Sequence, residues 1–235
     1  MDNRPIGLLD SGLGGLSIAK KVIEKLPNES TVFIGDNAHM PYGNRTKEDI
    51  INLTRRSVKF LLNNDVKLVI FACNTATAAA MGTIEKEIEP QIIGVIQSGA
   101  LAASRTTKNK KVAVVATSVT VGSHAYEKEI HFRDPEIEVT ELATPKLAPL
   151  VEAQEEHATN LKVVKESLAP LKGKDFDTLV LGCTHYPLIE QEIKEILGEV
   201  LFFNGSPRVA LHLKEILKEK QLLSTENNMN ITFID

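Results

Sequence analysis

Short runs of apolar residues alternate along the chain with longer stretches in which apolar residues recur every three to four positions. The short runs are mostly continuous rather than interrupted by polar residues, a pattern typical of parallel strands that are covered on both faces. The strands predicted in this way are residues 5–10, 30–36, 67–73, 91–96, 111–117, 136–142, 177–183, 199–204 and 230–235.

The longer stretches predict amphipathic helices, most clearly at residues 14–26, 46–64 and 207–220. Thr46 is the expected N-cap of the second of these helices, with Asp49 in its first turn. Strands that alternate with helices are joined by right-handed crossovers. The sequence therefore predicts an α/β fold with doubly wound parallel sheets.

The same order of elements occurs twice. A strand that ends at Asp10 is followed by one that ends at Cys73, and a strand that ends at Thr117 is followed, at a similar distance, by one that ends at Cys183. This repeat predicts two similar domains related by pseudo-twofold symmetry. The predicted domains are residues 1–96 together with 206–235, and residues 97–205.

The composition of the chain excludes some classes of binding partner. The 235 residues are 43% apolar and 25% charged with a net charge of −4, so no general attraction to nucleic acid or anionic lipid is expected. No apolar run is long enough to span a membrane, and the N-terminus lacks a signal-peptide pattern, which predicts a cytoplasmic protein. There the two cysteines are expected to be free thiols, and their spacing does not predict a metal site.

The positions of the two cysteines predict the chemistry. Ligands of parallel sheets bind at the carboxyl ends of the strands, where both cysteines are predicted to lie. If the domains face each other, the thiols approach one ligand in the cleft between them from opposite sides. Such a pair suits the removal of a proton from one face of a carbon and its return to the other, which is racemisation or epimerisation.

This chemistry places demands on the thiols and on the helices that follow them. The unperturbed thiol pKa is near 8.5, and we expect the site to lower it. Helix starts are predicted at Asn74-Thr75 and at Thr184-His185, directly after the cysteines. Their free N–H groups would stabilise a thiolate and hold a substrate carboxylate.

Six segments of the chain resemble the glutamate racemases of the aspartate/glutamate racemase superfamily. They are GLLDSGLGGLSI (7–18), GDNAHMPYGNR (35–45), ACNTATA (72–78), VATSVTVGSHAY (115–126), LAPLVE (147–152) and LGCTHYPL (181–188). The segments follow the family's order and spacing. The resemblance implies a racemase, independent of PLP and of metal, that interconverts L- and D-glutamate and supplies D-glutamate for bacterial peptidoglycan.

The resemblance also implies the roles of individual residues. Cys73 deprotonates the D-enantiomer and Cys183 the L-enantiomer, and each returns a proton to the opposite face. Asp10, Glu152 and His185 assist the thiols. The residues implied to line the substrate site are Asp10, Ser11, Pro41, Tyr42, Gly43, Asn74, Thr75, Thr117, Thr120, Thr184 and His185. A homodimer is implied by the resemblance alone.

Two features depart from the family pattern. Ser98 stands where a proline usually precedes the following Gly-Ala, so the segment that joins the domains is expected to differ in geometry. Family members usually continue beyond the last predicted helix through a further strand, a turn and a helix, whereas this sequence ends at Asp235. The sequence also lacks the N-terminal extension that is linked to activation by a cell-wall precursor, so that regulation is not expected.

Other interpretations of the same residues remain open. A lone cysteine at a strand end is most often a small buried apolar residue, and Asp10 could be only a cap or turn residue. An aspartate racemase is the alternative within the enzyme class, and assays on L-glutamate and L-aspartate discriminate. A non-catalytic amino-acid sensor or a thiol redox switch is the alternative outside it. Ready disulfide formation between Cys73 and Cys183 without substrate would favour the switch.

Overall fold

The computed structural model describes residues 1–198, 200–203, 206–225 and 230–234. Within these residues, the strands form two sheets, and every strand pair is parallel. The strands are β1 (Ile6–Asp10), β2 (Thr31–Gly35), β3 (Leu68–Phe71), β4 (Gln91–Gly94), β5 (Lys111–Ala116), β6 (Glu138–Ala143), β7 (Thr178–Gly182), β8 (Leu201–Phe203) and β9 (Ile231–Ile234).

Helices connect successive strands and cover the sheets. They are α1 (Leu16–Lys25), α2 (Lys47–Asn63), α3 (Asn74–Ile84), α4 (Val95–Thr106), α5 (Ser118–Ser123), α6 (Ala125–Arg133), α7 (Leu147–Ala153), α8 (His157–Leu168), α9 (Glu190–Leu197) and α10 (Ser206–Glu219). Short 3₁₀ helices occur at Asn37–His39, Tyr42–Asn44, Ala169–Leu171 and Tyr186–Ile189. None of the helices in the described ranges is both long and apolar enough to cross a membrane.

The four strands of the second sheet have the same order as four of the five strands of the first. The first runs β4-β3-β1-β2-β9, and the second, followed from its β8 edge, runs β8-β7-β5-β6. The strands β3 and β7 therefore occupy equivalent places, each beside the first strand of its own sheet. The predicted fold class of two similar α/β units on parallel sheets is confirmed, and the sequence repeat corresponds to this shared topology.

Most predicted elements differ from the observed ones by one or two residues at their ends. Thr46 caps α2 as expected, because its Oγ1 accepts a hydrogen bond of 3.1 Å from Asp49 N. The strand predicted at 91–96 is wrong at its end, since Val95 and Ile96 are helical and bury their side chains. The strand predicted at 199–204 is observed at Leu201–Phe203, and residues 199 and 204 lie outside the described residues.

The C-terminal part of the chain returns to the first sheet. Apolar residues of α10, including Val209 and Leu213, share a core with Ile18 and Val22 of α1. The strand β9 pairs with β2, and Phe33 lies opposite Phe233. The strand predicted at the end of the chain is thus confirmed for Ile231–Ile234, while residue 235 lies outside the described residues.

The domain boundaries themselves stay a prediction. The helix α4 contains the predicted boundary at residue 96 and packs on both units. Val95 belongs to the core of the first sheet, whereas Ile96, Ala100 and Ala103 pack against strands of the second. The other predicted boundary, between 205 and 206, borders residues 204 and 205, which lie outside the described part of the chain.

A buried ion pair between Lys67 and Glu29 connects the N-terminal segment with the segment after α10. Lys67 Nζ donates to Glu29 Oε2 at 2.5 Å, to the carbonyl of Asp2 at 2.6 Å and to that of Leu222 at 2.9 Å. The second carboxylate oxygen of Glu29 accepts a hydrogen bond of 2.8 Å from Ser224 N. Both charged groups are therefore paired and hydrogen-bonded, as burial requires.

Candidate active site

Both cysteines lie directly beyond the carboxyl ends of equivalent strands. Cys73 follows β3 and is the N-cap of α3, with extended backbone angles of −115° and 124°. Cys183 follows β7 immediately. Both are free and buried, which confirms the prediction of free thiols.

The sulfur of Cys73 interacts with the start of α3 and with Ser11, the residue directly after β1. Ala76 N donates to Cys73 Sγ at 3.4 Å, and the thiol donates to Ser11 Oγ at 3.5 Å. These contacts result from the fold, because a helix N-terminus leaves its first N–H groups without partners inside the helix. The sulfur occupies the place of an ordinary capping oxygen.

The expected lowering of the thiol pKa is wrong for this structure. Burial raises the pKa of Cys73 to about 12, and the charge of Asp10 adds to the increase. When the sulfur is ionised, Ser11 and Ala76 N donate to it and lower the pKa, but these hydrogen bonds do not offset burial. The physical reason is that a thiolate loses far more solvation in this site than two weak contacts to sulfur return.

Asp10 lies at the end of β1 and is 1% exposed. Its Oδ2 accepts a hydrogen bond of 2.7 Å from Gly15 N, whereas Oδ1 is buried and has no donor among the described residues. Burial raises the pKa of this carboxyl group, and the charge of His185 opposes that increase. Asp10 is thus coupled electrostatically to Cys73 and to a residue of the second unit.

Cys183 has a different set of partners. Its Sγ lies 3.5 Å from Nδ1 of His185, and Nε2 of the same ring is hydrogen-bonded to Glu152 Oε1 of α7. Burial raises the pKa of Cys183, and a charge on Cys73 raises it further. A charge on the first thiol is therefore felt by the second. The arrangement is a chain of three groups that can pass a proton, from sulfur to imidazole to carboxylate.

The segment after Cys183 is not the helix start that the sequence suggests. Thr184 and His185 precede the 3₁₀ helix Tyr186–Ile189, and α9 begins only at Glu190. Pro187 lies in the first turn of this 3₁₀ helix and has no N–H to donate. The second thiol therefore has both the backbone N–H and the ring of His185 as partners, where the first has the N-terminus of an α-helix.

The two units meet around the cysteines at very short range. Thr75 Oγ1 and Thr117 Oγ1 are 2.9 Å apart, and Thr117 Oγ1 lies 3.1 Å from Thr120 Oγ1. A Cβ atom on Gly43 would lie 2.9 Å from Thr117 Cβ, and one on Gly14 would lie 2.5 Å from Thr184 Oγ1. The structure thus brings the predicted substrate residues of the two units into contact.

The segment 41–43 approaches the site from the first unit. Tyr42 is buried, and its hydroxyl donates to Asp36 Oδ2 at 2.6 Å. Burial raises the pKa of Tyr42 most, and Asp36 and a charge on Cys73 raise it further. Tyr42 is therefore close enough to Cys73 to sense its charge, and the preceding Met40–Pro41 peptide bond is cis.

An open pocket of about 380 Å³ lies beside Glu152 and His185, the partners of Cys183. Glu152 and His185 line it on one side, and Gly14 and Ser17 on the other. The pocket is formed by both units, and neither cysteine lines it. It gives the outer part of the Cys183–His185–Glu152 chain access to solvent.

Sequence reasoning missed two tyrosine partners. Tyr126 Oη donates to Asn74 Oδ1 at 2.7 Å, and Asp36 accepts the hydroxyl of Tyr42. Both lie inside the segments that carry the family resemblance, at 115–126 and 35–45. A buried tyrosine hydroxyl normally has a partner, but the sequence does not show which residue it is.

One group of metal-capable side chains occurs among the described residues. It consists of His124, Glu127 and Glu141, and no predicted site residue belongs to it. The expected absence of a metal or cofactor from the reaction stays a prediction.

Comparison with known proteins relates this geometry to one family. The Asp/Glu/Hydantoin racemase family model matches residues 6–205. A glutamate racemase of Lactobacillus acidophilus is 74% identical over 226 residues, which are 95% of this chain and 85% of the relative. A solved glutamate racemase isoform of Bacillus anthracis has a TM-score of 0.96 at 41% identity, and the match covers 99% of this chain and 88% of that one. The glutamate racemase of Francisella tularensis, solved with D-glutamate, has a TM-score of 0.92 at 36% identity with the same two coverages.

Proposed function

Since this chain belongs to the Asp/Glu/Hydantoin racemase family and is an isomerase, we propose that it interconverts L- and D-glutamate by proton transfer between Cα and two cysteines. One observation carries the mechanism. The four strands of the second sheet have the same order as four of the five strands of the first, and a thiol follows the equivalent strand of each. Each thiol has its own acid/base partner, Asp10 in one unit and His185 with Glu152 in the other.

The reaction is balanced by the two thiols alone. The thiolate of Cys183 takes the Cα proton of L-glutamate, so that the Cα–H bond breaks and an S–H bond forms. The thiol of Cys73 gives its proton to the opposite face of the carbanion and becomes a thiolate. The product is D-glutamate, and the reverse reaction uses the same groups in exchanged roles. No oxidant, reductant or cofactor is required.

Because the pKa values of both thiols are raised, neighbouring groups have to help to deprotonate them. At neutral pH, burial keeps both thiols protonated in the ligand-free protein. His185 can take the proton of Cys183, and Glu152 stabilises the resulting imidazolium. Asp10 can take the proton of Cys73. The α-ammonium group of a bound amino acid adds a positive charge, which favours the thiolate.

Short polar side chains around the thiols suit the carboxylates of glutamate. Hydroxyl, amide and backbone N–H groups can donate hydrogen bonds to an anion in a buried site. The residues that we assign to substrate binding are Asp10, Ser11, Pro41, Tyr42, Gly43, Asn74, Thr75, Thr117, Thr120, Thr184 and His185. D-Glutamate from this reaction would enter peptidoglycan synthesis, and we assign the protein to the cytoplasm as a homodimer.

The decisive experiment is a racemisation assay on purified protein with L-glutamate, in the presence of EDTA and without PLP. We expect D-glutamate to form, and in deuterated water we expect the product to carry deuterium at Cα. Cys73→Ala and Cys183→Ala should each abolish turnover in both directions. Turnover of L-aspartate but not L-glutamate would contradict the substrate assignment, and near-full activity of either variant would contradict the two-base mechanism.

A further inference from the structure

Tyr126 of α6 is held between two glycines of the second unit. It is 1% exposed. A Cβ atom on Gly182 would lie 3.0 Å from Tyr126 Cε2, and one on Gly99 would lie 3.2 Å from both Cε1 and Oη. Gly182 directly precedes Cys183. The ring is therefore fixed against the segment that carries the second thiol.

The hydroxyl of Tyr126 reaches the segment that carries the first thiol. Tyr126 Oη donates to Asn74 Oδ1 at 2.7 Å, and Asn74 is the residue directly after Cys73. This hydrogen bond joins α6 of the second unit to the first turn of α3 in the first. Among the described residues, no side chain or carbonyl group accepts a hydrogen bond from Asn74 Nδ2.

The hydrogen bond holds the side chain of Asn74 in place. An asparagine amide has an acceptor oxygen and a donor nitrogen, and a tyrosine hydroxyl can bind either end. In this structure the hydroxyl of Tyr126 binds the oxygen end, which leaves the nitrogen end free to donate. A substrate carboxylate accepts hydrogen bonds, so the free N–H groups of Asn74 can bind it.

The surroundings keep the hydroxyl of Tyr126 protonated, so that it retains a hydrogen to donate. Burial raises the pKa of its hydroxyl, and a charge on Cys183 raises it further. The hydroxyl therefore stays protonated when the neighbouring thiol ionises. The interaction persists through the steps in which the cysteines change their protonation states.

We propose that Tyr126 is a positioning residue for the reaction, whose hydroxyl holds the Asn74 side chain in place beside Cys73, where its amide N–H groups can donate to a substrate carboxylate. This inference rests on the proposed function. It adds a residue that holds a binding group of one unit from the other unit, and it ties substrate affinity to the packing of Tyr126 between Gly99 and Gly182.

Tyr126→Phe tests the inference, because it removes the hydroxyl and keeps the ring. We expect KM for both glutamate enantiomers to rise about tenfold with kcat changed by less than about threefold, since the lost interaction serves ground state and transition state alike. Tyr186→Phe is the matched control. The Tyr186 hydroxyl is also buried but bonds to Thr144 within the second unit, at 2.7 Å to Oγ1. This variant should lose comparable thermal stability and keep its KM.

A double-mutant cycle separates positioning from general destabilisation. In an Asn74→Ala background, adding Tyr126→Phe should leave KM unchanged, because the amide to be oriented is absent. An equal rise of KM in both backgrounds, or an unchanged KM in Tyr126→Phe with an active wild type, would overturn the inference alone. A wild-type protein that does not racemise glutamate would overturn the proposed function and this inference with it.

Discussion

Thr75 and Thr117 share a hydrogen bond across the two units, with 2.9 Å between their Oγ1 atoms. Thr75 lies in the first turn of α3, two residues after Cys73, and Thr117 is the N-cap of α5. The same Thr117 oxygen also accepts from Thr120 N at 3.4 Å. One side chain thus caps a helix and joins the units.

Thr117→Ala should therefore affect both stability and substrate binding. Loss of the cap should lower the free energy of unfolding by about 1 kcal/mol, and KM for glutamate should rise. Thr117→Ser keeps the hydroxyl and should retain most of both properties. Urea denaturation and steady-state kinetics measure the two effects, and equal behaviour of the serine and alanine variants would show that the methyl group matters instead.

Glu152→Gln should impair proton transfer at Cys183. We expect kcat/KM to fall roughly tenfold to a hundredfold. The fall must be equal in both directions, because racemisation has an equilibrium constant of one. The direction-specific signal is the primary isotope effect, which should grow for α-deuterated L-glutamate and shrink for the D-enantiomer. Glu155→Gln removes the charge of a nearby exposed carboxylate and is the control. An unchanged isotope effect would exclude Glu152 from proton transfer.

Lys67→Met should destabilise the protein strongly. It leaves the Glu29 carboxylate buried without its cation, at a cost of about 3–5 kcal/mol in the free energy of unfolding. The double variant with Glu29→Met should recover much of this loss. Arg55→Met breaks the partly exposed pair with Glu87 and should cost less than about 1 kcal/mol. Chemical denaturation measures all three, and similar losses for the buried and exposed pairs would contradict the prediction.

Asp177 should give stability that depends on pH. Burial alone would raise its pKa, but hydrogen bonds from Asn109 N, Thr107 Oγ1 and Lys108 N lower it from 3.8 to about 2. A lowered folded-state pKa stabilises fully above 3.8, and the contribution is lost as pH falls through about 2.

Asp177→Asn should therefore cost on the order of 1 kcal/mol at pH 7, discounted for the partial exposure of this side chain. The deficit should be constant down to about pH 5 and shrink below about pH 4. Asp175→Asn removes a mostly exposed carboxylate paired with Lys111 and should have little effect. Urea denaturation across this pH range provides the measurement, and a deficit that increases on acidification would contradict the assignment.

The features that could be predicted from the sequence are those set by local pattern. Continuous apolar runs predicted the strands, and both cysteines lie at the strand ends where the repeat places them. The association of His185 with Cys183 was also accessible, because only two positions separate them. The tail strand followed from its own apolar pattern.

The features that were missed depend on contacts between distant residues. The bond between Tyr126 and Asn74 joins residues 52 positions apart, and no local pattern encodes it. The raised thiol pKa values have the same origin, because burial is a property of the packed units. The strand predicted through Val95 and Ile96 failed because an apolar run fits a buried helix start as well as a strand.

The two thiols differ in their access to water. Cys183 connects through His185 to Glu152, whose side chain is 32% exposed, whereas Cys73 is backed by the buried Asp10 and Ser11. A hydrogen taken up by Cys183 can leave for solvent, and one taken up by Cys73 is shielded. Under the proposed roles, a hydrogen isotope removed from Cα of D-glutamate would stay on Cys73 longer than one removed from L-glutamate would stay on Cys183. The isotope would therefore exchange with solvent more slowly when the reaction starts from D-glutamate.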